Sequence, residues 1–281
     1  MSQICQTLEV SRSNLYEQLD KEREAHKRRV MADDQKILPL IRQLTDERPT
    51  YGYRRITALL RKSLGQAINP KRIYRIMKVN NLLLQRHGQR PARVHDGKII
   101  TLKSNLRWCS DHFSLQCWNG DQVHVVFALD CHDREILSWM ASNTGIDGQM
   151  VRDLMTDCIE MRFGSISHLP HKLQWLSDNG PAYVARQTIS FGRSVGFEIC
   201  TTAPYSPESN GMAEAFVKTF KRDYAYVADL SSAQKVLEQL PEWFEDYNNH
   251  APHKGLKMLS PREYYRSSQG DLKQVKCNLI G

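Results

Sequence analysis

Three acidic side chains stand where this sequence could do chemistry. Asp111 follows a tryptophan in "RWCSDHFSLQC", Asp178 sits in "LQWLSDNG", and Glu214 lies in "SPESNGMAEAFVKTFKRDY". Between Asp178 and Glu214 lie 35 residues, 179 to 213. Asp111 alternates with Cys109, Phe113, Leu115 and Cys117 on one side of a strand-like run. A carboxylate on such an apolar face is costly unless something pairs with it. Asp178 ends a second run, at the carboxyl edge where open sheets place their sites. Each residue also has a plain structural reading. Asp111 could be a rim residue, Asp178 a cap for the next turn, and Glu214 half of a Glu214–Lys218 surface pair worth roughly a few tenths of a kcal/mol. Brought together, the three would offer oxygen ligands to two hard divalent cations. Two-metal phosphodiester chemistry uses that arrangement. The chemistry needs no Cys or His, and none is placed in the sequence to help.

The elements around these residues explain how they could converge. From about residue 105 the hydrophobic period is that of strands. "RWCSDHFSLQC" alternates, Asn119-Gly120 supplies a hairpin turn, and "VHVVFALD" is a fully apolar strand. A short turn at Cys131-His132-Asp133 leads to a third strand, "EILSWMA". An amphipathic helix (about 147–162), a strand ending at Asp178, a helix near 185–195 and the strand "FEICTT" follow. Three meandering strands and then alternating helix and strand predict an α/β fold, a mixed sheet with helices on its faces. Pro207 and Asn210-Gly211 punctuate the chain before a helix that carries Glu214, Lys218, Lys221 and Arg222 along one face. Residues 232–249 form another amphipathic helix, and the tail after about 267 reads as frayed.

The front of the chain is helical and basic. The net charge of +8 is uneven: residues 1–104 carry 22 Lys and Arg against 10 Asp and Glu, and the remainder carries 17 against 21. Such asymmetry points to a polyanion, above all nucleic acid. "ICQTLEVSRSNLYEQL" reads as the end of a helix-turn-helix, with Ser11 capping its second helix. A stronger helical unit spans about 33–88. There Asn69 is a natural N-cap with Pro70 at the first helical position. On the helix that follows, Lys71, Arg75 and Lys78 share one face and Ile73, Ile76 and Met77 the other, with Arg72 a further cation. An apolar back and a basic front suit the major groove of double-stranded DNA. "RHGQRPARVHDGK" is basic and aperiodic, as a phosphate-tracking linker would be.

Other classes are disfavoured. No apolar run approaches the roughly 18 residues of a membrane span, and the first residues lack a signal-peptide pattern, so the cytoplasm is the expected place. Seven scattered cysteines without a CxxC pair argue against a disulfide framework and a thiolate zinc cage. The pairs His168/His171 and His250/His253 each enclose a proline and lack an acidic or Cys partner nearby.

Taken together, "W-x-x-D" at 108–111, "SDNG" at 177–180 and "SPESNGMAEAFVKTFKRD" resemble the catalytic core of the DDE transposases and retroviral integrases. "PTYGYRRI", "INPKRIYRIM", "LDCHDREI" and "YNNHAPHKGLKMLSPREYY" are similar to the OrfB-type, InsD-like transposases of bacterial insertion sequences. The likeness covers roughly residues 33 to 267.

The resemblance implies an RNase-H-like integrase core with a mixed five-stranded sheet, preceded by an all-α DNA-binding region. It implies catalysis by Asp111, Asp178 and Glu214 holding two Mg2+, for which Mn2+ can substitute. Water, then a liberated DNA 3′-OH, would attack phosphorus, with a joined-end circle as intermediate. Lys221, seven residues after Glu214, matches the family's contact to transposon-end DNA. Lys218 and Arg222 join Lys71, Arg72, Arg75 and Lys78 as expected DNA-binding residues. Expected partners are transposon-end and target DNA, an OrfA or OrfAB fusion protein, and further copies of the chain on DNA near the nucleoid. Asp130 is the rival for the first catalytic position. The family's aspartate lies on the first strand after Trp, which favours Asp111 and leaves Asp130 as a structural partner of Arg134. The chain should then divide into a partial helix-turn-helix and arm (1–30), a helix-turn-helix-like DNA-binding domain (31–88), a basic linker (89–104), the catalytic core (105–226) and a C-terminal helix and tail (227–281). Rival readings are a DNA-binding regulator without catalysis and an RNase-H-fold nuclease without strand transfer.

Overall fold

A computed structural model of the 281-residue chain describes residues 32–85, 101–202 and 210–278. The expected helix-turn-helix end and arm at 1–30, most of the 89–104 linker, and Ser206–Ser209 at the entrance to the Glu214 helix lie outside the described residues. The chain divides into two compact units, Met1–Gln43 and Leu44–Gly281. Helix α1 (Ala32–Glu47) runs through the junction.

In the second unit, α2 (Tyr53–Leu64) ends at Gly65, whose φ of 61° supplies the left-handed C-cap. Helix α3 (Pro70–Val79) then starts as the sequence predicts: the Asn69 side chain accepts from the Lys71 N–H at 2.9 Å, and Pro70 occupies the first turn. Arg61 donates twice to the Ile68 carbonyl, at 2.9 and 2.6 Å, and ties the turn down. Ile56, Leu60, Ile73, Ile76 and Met77 are buried, so each helix turns its apolar stripe inward.

The sheet comprises β1 (Arg107–Gln116), β2 (Gln122–Asp130), β3 (Ile136–Ser142), β4 (Leu173–Ser177) and β5 (Phe197–Thr201), in spatial order β3-β2-β1-β4-β5. β1–β2 and β2–β3 pair antiparallel; β1–β4 and β4–β5 pair parallel. This is the mixed five-stranded sheet expected from the sequence. Gly120, at φ 94°, makes the hairpin turn between β1 and β2.

Period-two alternation divides the core. Cys109, Phe113, Leu115, Val123, Val125, Phe127 and Leu129 face α7 (Gly211–Asp223) and α8 (Ala233–Asn249). Trp108, Val126 and Ala128 face α4 (Gly148–Phe163), with α5 (Pro181–Val184) and α6 (Arg186–Ser194) beside it. On the first face an aromatic stack fixes α7. Phe216 meets Phe127 at 4.4 Å and Tyr247 at 4.9 Å, and Phe220 meets Phe244 at 4.6 Å between ring centroids.

A last helix, α9 (Pro261–Asn278), continues well beyond residue 267, where the sequence reads as frayed. Its start is a capping box: the Ser260 N–H and hydroxyl both donate to Glu263 at 3.0 Å, with Pro261 in the first turn.

Within the second unit, residues Arg48, Thr50 and Arg55 are tied to the core through two carboxylates. Asp223, at the end of α7, accepts from Thr50 Oγ1 (2.6 Å), Arg55 Nη1 (2.8 Å) and both arms of Arg222 (2.7 and 2.8 Å). Asp246 on α8 accepts from the two Arg48 arms (2.6 and 2.5 Å) and from the Tyr224 hydroxyl (2.8 Å). The Arg55 guanidinium also lies 3.4 Å above the Tyr51 ring.

Candidate active site

The site forms where the sheet runs out. β1 pairs with β4 only from Arg107↔Gln174 to Cys109↔Leu176, and β4 ends at Ser177. Asp178 comes off that strand end opposite the middle of β1. Ligand atoms of Asp111, His112 and Asp178 all lie within 4.8 Å of one another, a grouping among the described residues that could hold a metal ion. Asp111 and Asp178 are half-buried and His112 is exposed.

Each carboxylate is held. Asp111 Oδ1 accepts from the His112 N–H at 2.8 Å, and Asp178 Oδ1 accepts from the Gly180 N–H at 2.9 Å. Burial raises the Asp111 pKa, the His112 N–H opposes this, and the charges of Asp178 and Glu214 raise it further. Like charges crowded in this way favour a cation between them. Beneath them, Ser110 donates to the Phe127 carbonyl at 2.8 Å and shares a 3.0 Å hydrogen bond with the buried Tyr183 hydroxyl. Burial drives the Tyr183 pKa up, so the phenol stays protonated as a hydrogen-bonding floor.

Gly180 has a steric role the sequence did not signal. A Cβ there would sit 2.9 Å from Asp178 Oδ1 and 3.4 Å from the Tyr183 ring. If Asp178 is a metal ligand, Gly180→Ala should rotate its carboxylate away and lower strand cleavage by about 10- to 100-fold, the range for residues that orient such ligands. DNA affinity, measured by gel shift, should stay at the wild-type value.

Glu214 sits half-buried on the first turn of α7 and is felt electrostatically at Asp111, but it is not in the 4.8 Å group. Its carboxylate makes the 3.5 Å pair with Lys218 that its spacing allows, with side chains 41% and 64% exposed. Such a pair holds it weakly. The helix itself is anchored at Asn210, a buried residue whose side-chain amide donates to the Ser110 carbonyl at 3.4 Å. Asn210 thus ties the Glu214 helix to the strand of Asp111; the sequence marked it only as punctuation.

Further along α7, Lys221 leans over Phe113, its Nζ 5.5 Å from the ring centroid. Burial lowers its pKa, and it makes no ion pair among the described residues. Arg222, expected at DNA, has its fork on Asp223 while remaining 54% exposed, so a phosphate would have to share it. On α3, Lys71 and Lys78 are exposed and Arg72 and Arg75 half-buried.

Two expectations are corrected. Asp130 is structural, but its partner is not the Arg134 side chain. Its fully buried carboxylate accepts from the Asn105, His132 and Asp133 N–H groups at 2.6, 2.7 and 3.2 Å and from Trp108 Nε1 at 3.2 Å. Those donors occupy the carboxylate and keep it from a metal. The tryptophan of "W-x-x-D" is fixed by the same bond. The second correction is His112: a histidine does stand at the site, because the open edge of β1 lets neighbouring residues reach one point.

With this geometry in view, the relatives are informative. The Integrase core domain family matches residues 102–207, a second Integrase core domain family matches 195–261, and an HTH-like domain family matches 32–90. The Escherichia coli protein "Transposase InsD for insertion element IS2A/D/F/H/I/K" is 43% identical over 99% of this chain and 92% of its own length. The chain belongs to the InsD-type insertion-sequence transposases. "Transposase InsD for insertion element IS2-9" of Escherichia coli strain K12 is likewise 43% identical, over 99% of this chain and 91% of its own. A chain in the cryo-EM structure of the simian T-cell lymphotropic virus intasome in complex with PP2A regulatory subunit B56 gamma shares the fold at TM-score 0.50 and 18% identity, covering 74% of each chain. The transposase is therefore a DDE-type polynucleotidyl transferase with an RNase-H-like integrase core behind an HTH-like DNA-binding region. No helix among its described residues is long and apolar enough to cross a membrane.

Proposed function

We propose that the transposase cleaves DNA at the ends of its insertion sequence and joins the freed 3′-OH to a new phosphodiester, with Asp111, Asp178 and Glu214 holding two Mg2+ or, in substitution, Mn2+. The observation that carries this reading is the approach of the Asp111 and Asp178 carboxylates to within 4.8 Å at the open end of the sheet. The donor set fits the ions: hard, half-buried oxygens with like charge to relieve. When bound, two such ions activate the attacking oxygen and stabilise the leaving one.

The chain's own residues do the rest. The His112 and Gly180 N–H groups orient the two aspartates, and Asn210 brings α7 against β1 so that Glu214 can close on them when DNA enters. Lys218 and Lys221 offer charge to the transposon end from the same helix. Lys71, Arg72, Arg75 and Lys78 approach the duplex from α3, with Arg222 sharing its fork between Asp223 and a phosphate. On this reading residues 31–88 form the DNA-binding domain and 105–226 the catalytic core, flanked by the 1–30 arm, the 89–104 linker and the 227–281 C-terminal part. The enzyme works as an oligomer on DNA with an OrfA or OrfAB partner, in the cytoplasm at the nucleoid.

Incubating the protein with labelled DNA that carries the element's terminal repeats tests this. Cleaved and joined products should form with Mg2+ and vanish with EDTA; joining undiminished by EDTA would refute the metal assignment. Replacing Lys71 and Arg75 together by Ala should weaken DNA binding and lower the slope of log affinity against log salt by about 1.8, two phosphates at roughly 0.9 each. An unchanged slope would remove α3 from the interface.

A further inference from the structure

Strand geometry makes the position of His112 unusual. Within a sheet paired on both sides, consecutive residues point to opposite faces and cannot meet at one ligand. Asp111 belongs to the face of Cys109, Phe113 and Leu115, and His112 must leave from the other. Yet the imidazole and both aspartates lie within 4.8 Å of one another. The cause is the mismatch in strand length. β4 stops at Ser177 while β1 continues to Gln116, so no strand covers the β4 side of β1 beyond Cys109 among the described residues. Asp178 can then be reached from both faces of β1 at once.

We propose that His112 is a nitrogen ligand to the divalent cation held between Asp111 and Asp178. The proposal rests on the metal site inferred above and adds to it a donor that is not a carboxylate. Ligand atoms around an octahedral ion with bonds of about 2.1 Å are separated by about 3 to 4.2 Å. A separation within 4.8 Å therefore needs only a small rotation, and the exposed imidazole is free to make it. The His112 main chain is already engaged, since its N–H holds Asp111 Oδ1. One residue thus orients the first carboxylate with its backbone and offers the ion its side chain. An imidazole in the shell changes the selectivity of the site. Mg2+ prefers an all-oxygen shell, whereas first-row transition ions accept nitrogen readily. The site should therefore favour Mn2+ over Mg2+ by more than two carboxylates alone would.

Mn2+ bound to the full chain is the probe, observed by pulsed electron paramagnetic resonance. Wild-type protein should show 14N modulation from a directly bound imidazole. His112→Ala should abolish that modulation, retain Mn2+ with about tenfold weaker affinity, and need about tenfold less Mg2+ to displace it. His112 is exposed, so the variant should melt at the wild-type temperature. Bound Mn2+ without nitrogen coupling in the wild type, or coupling that persists in the alanine variant, would overturn the proposal while leaving the carboxylate site intact. Mn2+ binding that is unaffected by Asp178→Asn would instead overturn the carboxylate site, and this proposal with it.

Discussion

Asp178→Asn should reduce strand cleavage and joining by about 10³-fold or more while DNA binding stays at the wild-type level. Asn keeps the size of the side chain and can still accept from the Gly180 N–H, so the local turn is preserved. What goes is a negative oxygen within 4.8 Å of Asp111. A metal site supplies several kcal/mol of transition-state stabilisation, and each 1.4 kcal/mol is about tenfold in rate, which sets the expected scale. The Asp111 pKa should also fall, because one of the charges that raises it has been removed. Joining assays on repeat-ended DNA, with gel-shift measurements in parallel, separate the two effects. A mutant that joined ends at the wild-type rate would exclude Asp178 from the site.

Asp223→Ala should be strongly destabilising. The carboxylate is 1% exposed and receives four hydrogen bonds, from Thr50, Arg55 and Arg222. Removing it leaves the largely buried Arg55 charge without its partner, a cost of about 3–5 kcal/mol. For a unit of this size that corresponds to a melting temperature lower by about 10 °C. Arg222→Ala, with its side chain 54% exposed, should cost under about 1 kcal/mol. The clamp also has a pH signature. Burial raises the Asp223 pKa, but the Arg222 hydrogen bonds, the Arg55 charge and Thr50 outweigh it, so the folded value lies below the unfolded one. A depressed carboxyl stabilises the fold above its unfolded pKa of about 3.9, and that stability is lost as pH falls through the folded value. Wild-type melting should decline with acid in that window, and Asp223→Ala should decline less steeply.

The sequence made the local features legible and hid those that depend on where elements meet. Asn69-Pro70 reads as a helix start because the cap and the missing donor act within one turn. Asp111 reads as exceptional because period-two alternation sets it among residues that prove to be buried. Nothing local announces that β4 has five residues against ten in β1, yet that difference opens the sheet edge and admits His112. Nothing local marks Asp223, next to Arg222, as a buried hub either. Its partners Thr50 and Arg55 lie 173 and 168 residues away, and only tertiary packing brings them to it. Asp130 shows the same limit: the sequence suggests a pair with Arg134, because the backbone N–H donors that hold it have no signature in the one-letter code.

The stacking of α7 on α8 has a consequence for the order of events during synthesis. Glu214 is translated after Asp111 and Asp178, and its helix rests on Phe244 and Tyr247, which emerge later still. A ribosome-bound chain that has released both aspartates therefore still lacks the support that orients the third carboxylate.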